Sequence, residues 1–441
     1  MRIYNNLSRI LIIFLAVTLL LPSCQKLDYW NYHNGHQINK GGDGRIAMDW
    51  YRLQLQMLLE RNSTMNGVYF AYMGIGLYES IQPGIKNGSS FSKSLYQMPE
   101  MPEIENNEEY DWEVSANAAL AALLRSFNNG LTSANNFSID SLENAYNAKL
   151  QPAAGSKFTR SQAFGREIAA AVYNWSKTDN FDPTNAGYVA PVFEGSWVPT
   201  PPAFVNPPVL PFLKKARPLL ESNLGLLADP FPFPYSENSS SDFYKEVKHV
   251  YDVSKTLTDE QKNIANFFID QGNGSGYTPP GHDFSIITQA LFNVHADLET
   301  AAETYAKAGI AEREATLICF ASKYEYNLIR PVSYIQKVID ANWLPFITTP
   351  PHPEYPAAHA FITGAAVEAA QEVLGPNVSV TDHSYDFKGW EPRTYKKLFD
   401  AGREAGISRL YGGIHYLESI NIGLDLGEKQ GKKVGKIKLR N

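Results

Sequence analysis

Three stretches of the chain hold cations and imidazoles at spacings that suit one small anion. KYEYNLIRP (Lys323–Pro331) brings Lys323 and Arg330, seven apart. TPPHPEYPAAHAFITGAA (Thr349–Ala366) brings His352 and His359, and SRLYGGIH (Ser408–His415) brings Arg409 and His415. A tetrahedral oxyanion carries its charge on oxygens pointing several ways, so holding it takes cationic donors from several directions. A histidine at a helix start beside that anion adds general acid–base chemistry near neutral pH. The backbone is expected to contribute as well. Pro356 reads as the first position of a helix running to Leu374, where Gly375-Pro376 stops it. The amides of Ala357, Ala358 and His359 would then lack intrahelical acceptors, at the positive end of a helix dipole.

Lys-x6-Arg-Pro, then Pro-x-x-His at a helix start, then Ser-Arg-x5-His, in that order, resembles the vanadium-dependent haloperoxidase and type-2 phosphatidic acid phosphatase superfamily. AYMGIGLYES (Ala71–Ser80), WVPTPP (Trp197–Pro202) and TPPHPEYP are similar to its haloperoxidase-like branch, and the resemblance covers about Ile46 to Gly427. It implies an all-α helical bundle. It further implies vanadate held by Lys323, Arg330, Arg409 and the amide of Ala358, with His415 as axial ligand and metal-binding residue. Hydrogen peroxide would then oxidise halide, with His359 moving protons and Lys323 polarising the oxidant. As an acid phosphatase the same residues would need no cofactor: His415 would attack the phosphorus of a phosphomonoester and His359 would protonate the leaving alcohol. The chemistry of the five side chains does not choose between the two.

The chain departs from the family pattern in two places. Ala357-Ala358 stands where the family has Ser-Gly before the histidine, which removes a hydroxyl donor to a charged ligand, about 1.5–3 kcal/mol. The aspartate that orients the metal-ligating histidine is replaced by Ser419, with Glu418 beside it, so either Glu418 substitutes or His415 is less well held. His352 matches a position that faces the pocket in the haloperoxidases. It is either a tuning group for halide or protons, or a loop histidine between prolines. Glu354 and Tyr355 read as structural, His282, in PPGHD, as lying in a turn, and His249, His295 and His383 as having no partner pattern.

The elements that must position these residues read as helices. Apolar spacing marks one from Arg45, then Asn66–Ile81 and Asp111–Phe127. Asp140 with Glu143 suggests a capping box, Thr159 a cap for a helix to Trp175, and Thr258 with Gln261 another capping box. Ser241–Ser254, Phe284–Ala308 and Ile310–Ile329 follow, the last carrying Lys323 and Arg330 on one face. Twelve of the 27 prolines fall between Pro183 and Pro234, which forbids regular structure over most of that stretch. Its Phe, Trp and Leu content favours a packed crossover. The organisation expected is a signal (1–23), a tether (24–44), an N-terminal helical region (45–182), a proline-rich crossover (183–239) and a C-terminal helical bundle with the site (240–435).

Arg2 and Arg9 precede the apolar run Ile10–Leu21, a signal h-region too short to span a bilayer. Leu21-Pro22-Ser23-Cys24 resembles a bacterial lipoprotein cleavage box, which predicts an acylated Cys24 and a chain lipid-anchored in the cell envelope, periplasmic or surface-exposed. The bland alternative is an ordinary secretory signal. Cys319 is the one other cysteine and reads as a buried small hydrophobe. The net charge of −7, which becomes −9 without Arg2 and Arg9, argues against nucleic-acid binding. With 25 tyrosines and 12% aromatics, a non-enzymatic surface glycan-binding lipoprotein is a third reading, and a degenerate phosphate-binding site a fourth. The third leaves the three motifs unexplained, and the fourth is prompted by Ala357.

Overall fold

In the computed structural model, residues 42–60, 67–128, 130–270 and 276–440 are described. The signal, Cys24 and most of the tether lie outside them. The described chain is mostly helical, with one short antiparallel strand pair, β1 (Val380–Asp382) and β2 (Arg393–Tyr395), registered with Val380 opposite Tyr395.

The first five helices are α1 (Arg45–Glu60), α2 (Gly67–Ile81), α3 (Trp112–Phe127), α4 (Ser133–Ala154) and α5 (Phe158–Ser176). Then come α6 (Asp242–Lys255), α7 (Asp259–Phe267), α8 (Pro279–Asn293) and α9 (Leu298–Tyr326). The last four are α10 (Pro331–Val338), α11 (Ala358–Leu374), α12 (Leu398–Tyr411) and α13 (Leu417–Gly435). The capping box read from sequence at Thr258 is present, and the helices expected from Asp111 and Ser241 turn out to be capped by those two residues. Asp111 accepts from the Val114 amide, Ser241 from that of Tyr244, and Thr258 with Gln261 forms the reciprocal capping box.

Two proposed caps fail. Thr132, not the Asp140–Glu143 pair, caps α4, and Asp140 lies mid-helix, where it pairs with Arg125 at 2.6 Å. Thr159 lies inside α5, which continues from a tight turn at Gly155–Lys157 and needs no side-chain cap.

α9 is the axis. It packs against α2 on one side and α11 on another, so the N-terminal helices and the C-terminal helices share it. A helix of 29 residues, about 43 Å, buried almost all round has to be fed by small side chains, and its alanines supply them. This corrects the expected split at Ala308–Ile310. Gly309 does not break the helix, because a Cβ there would lie 2.7 Å from the Ala71 Cα: the glycine lets α2 and α9 touch. The break comes earlier, where His295 takes a positive φ and Asp297 caps α9 through the Thr300 amide.

The seating of α11 depends on α13. Gly423, Gly427 and Gly431, four apart, turn one side-chain-free stripe onto α11, and a Cβ on Gly427 would meet the Phe361 carbonyl at 2.7 Å. The proline-rich stretch carries only short tight turns, Leu213–Lys215 and Glu221–Asn223. It is tied to the elements around the site. The Trp197 amide donates to the Asn327 carbonyl at 2.6 Å, the Ile329 amide to Gly195 at 2.9 Å, and the Val209 amide to Pro351 at 3.0 Å. No helix among the described residues is long and apolar enough to cross a membrane.

Candidate oxyanion-binding site

Four elements bring the three motifs together. Lys323 lies in the last turn of α9, which Asn327 ends in the left-handed conformation (φ 45°, ψ 40°). The helix therefore stops before Arg330, contrary to the expectation that both share one helical face. Arg330 is instead the residue before α10, and Pro331 opens that helix. His352 and Glu354 come from the loop leading to α11, and His359 from its first turn. Arg409 ends α12. The turn at Gly412-Gly413, with φ +75° at Gly413, swings His415 back toward it.

Pro356 is not the first residue of α11. Ala357 takes the N-cap position and offers no side-chain bond, so the helix begins at Ala358. The Pro356 carbonyl is turned inward onto Lys323 Nζ at 2.5 Å. The Ala357 amide is claimed by the Ser419 carbonyl at 3.4 Å, which leaves the amides of Ala358, His359 and Ala360 without intrahelical acceptors.

The cations are buried to a degree the sequence did not announce: Lys323 and Arg330 are 0% exposed and Arg409 is 2%. Lys323 spends all three donors on carbonyls of one loop, those of Pro353 (3.2 Å), Glu354 (2.7 Å) and Pro356. It thus folds the His352–His359 loop around its charge. Arg330 donates to the carbonyls of His352 (2.9 Å) and Ile414 (2.8 Å) and reaches His415 Nε2 at 3.1 Å and His352 Nδ1 at 3.0 Å. Burial pushes Lys323 down to about 8, and Arg330 and Arg409 each down to about 10.

Arg409 differs from the other two. One terminal nitrogen lies 2.9 Å from His359 Nε2 and 3.2 Å from its Nδ1, while Nε and the other terminal nitrogen are buried with no hydrogen-bond partner among the described residues. Unsatisfied donors on a buried guanidinium are costly. They mark the place where an acceptor fits.

His415 is held by Glu354, not by Glu418. Glu354 Oε1 lies 2.7 Å from His415 Nδ1 and also accepts from the Tyr416 amide at 3.0 Å. Burial raises the Glu354 carboxyl to about 7 against the pull of Lys323 and Arg330, with Ser419 adding a smaller pull the same way. Burial, then Arg330 and Lys323, push His415 well below the ordinary histidine value. A neutral ring follows, with its proton on Nδ1 toward Glu354 and a lone pair on Nε2. Glu418 lies away from this contact, its amide donating to Glu246 at 2.6 Å.

His359 has a different neighbour, Asp270 Oδ2, 3.3 Å from Nε2. Burial and then Arg409 lower it to about 4, with Asp270 opposing. His352 is buried beside Phe320, ring centroids 5.4 Å apart, and burial followed by Arg330 holds it well below its usual value. Cys319 is a free buried thiol, pushed up to about 11 by burial.

Two groups were missed from sequence. Glu354 lies five residues before His359, between two prolines, where a loop role was the simpler reading. Asp270 lies three residues beyond α7, outside all three motifs, and only the fold brings it in. No group of three or more His, Cys, Asp or Glu side chains suited to a metal ion occurs among the described residues.

Residues 303–440 match the family model described as the VCPO second helical-bundle domain. A solved structure described as the first bacterial vanadium-dependent iodoperoxidase superposes with a TM-score of 0.81 at 29% identity, covering 93% of this chain and 99% of the other. The apo-type bacterial vanadium-dependent chloroperoxidase gives 0.61 at 15% identity, covering 85% and 92%. Its holo-type counterpart gives 0.56 at 16%, covering 88% and 92%. At those identities the two chloroperoxidases speak for the fold. No curated protein matches significantly. The helical scaffold shared with the iodoperoxidase over nearly its whole length, and a family model matching residues 303–440, which carry Lys323 to His415, support the haloperoxidase-like superfamily.

Proposed function

We propose that the chain is a vanadate-binding haloperoxidase that oxidises halide with hydrogen peroxide. The observation that carries the proposal is Arg409: a buried guanidinium with two nitrogens unpaired, beside His359 and the uncapped start of α11. The donor set fits an oxyanion carrying its own negative charge. Arg409, Arg330 and the Ala358 amide supply donors, Lys323 supplies buried positive charge, and His415 supplies one nitrogen lone pair. Bound there, vanadate would act as a Lewis acid toward peroxide without itself changing oxidation state.

The chain's own residues have separable tasks. Glu354 fixes the His415 tautomer and aims Nε2, which Arg330 now occupies with an N–H at 3.1 Å. Lys323 keeps the loop closed over three carbonyls, and touching the anion directly requires it to exchange one of them. His359, neutral above about pH 4, accepts a proton from an incoming oxidant at Nδ1 or Nε2. Phe320 and His352 line the same neighbourhood and shield the site from water.

Vanadate-loaded protein should oxidise iodide or bromide in the presence of peroxide, with iodide assayed first because the 29%-identical relative is described as an iodoperoxidase. Metal-free protein should show little turnover of a phosphomonoester. Phosphatase turnover without halide oxidation would overturn the proposal in favour of a phosphohistidine mechanism.

The lipid anchor at Cys24 belongs to the same proposal and rests on Leu21–Cys24 alone. Cys24→Ser should move the protein from the membrane fraction to the soluble one, and an unchanged distribution would remove the anchor from the account.

A further inference from the structure

Behind His359 runs a second line of buried charge. Asp270, whose Oδ2 faces His359, receives the Tyr385 hydroxyl on Oδ1 at 2.7 Å, and the same oxygen lies 2.9 Å from His282 Nδ1. His282 stands in the first turn of α8, and its Nε2 lies 2.9 Å from Asp382 Oδ2, at the end of β1. The other Asp382 oxygen accepts from the Ser384 amide at 2.9 Å and from Gln289 at 3.4 Å. His282, Asp270 and Asp382 are all buried.

A neutral imidazole has one N–H and one lone pair. Facing carboxylate oxygens on both nitrogens, it satisfies them only as an imidazolium. Burial opposes that charge, but the two carboxylates outweigh it, and His282 in turn helps hold Asp270 ionised. The other groups in the neighbourhood are Asp283 on the same turn of α8, Thr363 and His359 on α11, Tyr277, Tyr385, Lys388 and Arg409. The rings of Phe267, Phe268, Tyr277 and Tyr385 surround His282 at centroid distances of 5.0–6.5 Å and exclude water.

We propose that His282, gripped between Asp270 and Asp382, is a positioning residue for His359: it locks Asp270 so that this carboxylate accepts a hydrogen bond from His359 Nε2–H and leaves Nδ1 as the proton-accepting atom on the Arg409 side. An N–H cannot donate to a protonated nitrogen, so of the two Arg409 contacts only the longer, to Nδ1 at 3.2 Å, is then a hydrogen bond, and the 2.9 Å approach to Nε2 has to lengthen. The inference deepens the proposed function by assigning a tautomer to its proton-transfer group, and rests on that reading only for what His359 acts upon.

The test is ring-nitrogen NMR of the full chain labelled at histidine, without vanadate, at about pH 8.5, two units above the ordinary histidine value of ~6.5. One imidazolium with two slowly exchanging N–H protons is expected. It is assigned by its loss in His282→Gln or, where that variant does not fold, by its shift in Asp382→Asn. His359, assigned through His359→Gln, is expected as the Nε2–H tautomer, and Asp382→Asn should mix in the Nδ1–H form. No imidazolium in the wild type, or a His359 ring that is Nδ1–H from the start, overturns the proposal. A vanadate titration of the same samples keeps the two readings apart: absent binding with an intact imidazolium contradicts the proposed function and leaves the His282 assignment standing.

Discussion

Glu354 and Asp270 divide the two site histidines between them. Each carboxylate takes one ring nitrogen, so His415 and His359 are set to different tasks by their partners more than by their own type. Glu354→Gln keeps the shape but weakens the acceptor that sharpens His415, and is expected to lower anion affinity about 10- to 100-fold with little loss of fold. Binding isotherms on both proteins check it. A second outcome concerns protons. His359 is neutral above about pH 4 because burial and Arg409 disfavour its charge. A bound anion opposes Arg409 and raises that value, so binding takes up a proton between about pH 4 and the new midpoint and strengthens as pH falls through that window. Calorimetry in buffers of different ionisation heat should show net uptake within this window; proton release there would contradict the assignment.

At the scale of elements, what was legible followed from local rules and what was not followed from packing. Ser241, Thr258 and Asp111 cap helices as their types demand. The end of α9 was misplaced by several residues because Pro331 looked like the stop, whereas Asn327 in the left-handed region ends the helix first. Pro356 looked like a helix start, but its carbonyl is drawn onto Lys323. Gly309 looked like a break and is a contact point. None of these long-range demands leaves a mark in local spacing. The glycine stripe of α13 is the most consequential of them, since α11 carries His359 and the free amides. Gly427→Ala puts a methyl against the Phe361 carbonyl and is expected to cost about 1–3 kcal/mol of stability. It should weaken anion binding by displacing α11, whereas Gly375→Ala, strained by a φ of +98° but with open space around it, should cost stability and leave binding intact. Thermal unfolding with binding on both variants separates the two effects.

For the whole molecule, the motifs identified a site long before they could arrange it. Lys323, Arg330, His359, Arg409 and His415 do meet, joined through direct contacts and through the loop that Lys323 gathers. The net negative chain thus concentrates three buried cations in one neighbourhood, a large electrostatic cost that a bound anion offsets. The folded protein should therefore gain stability from vanadate or phosphate, and lose it in Arg409→Ala less than a buried charge deletion normally costs, because that guanidinium is already half unpaired. The most direct measurement is an equilibrium vanadate titration of purified wild type beside Arg409→Ala and His415→Ala. Saturable binding of one vanadate per chain, weakened at least tenfold by either substitution, is the expected result. Wild-type protein that takes up no vanadate, or that binds it equally well without Arg409 and His415, would contradict the account.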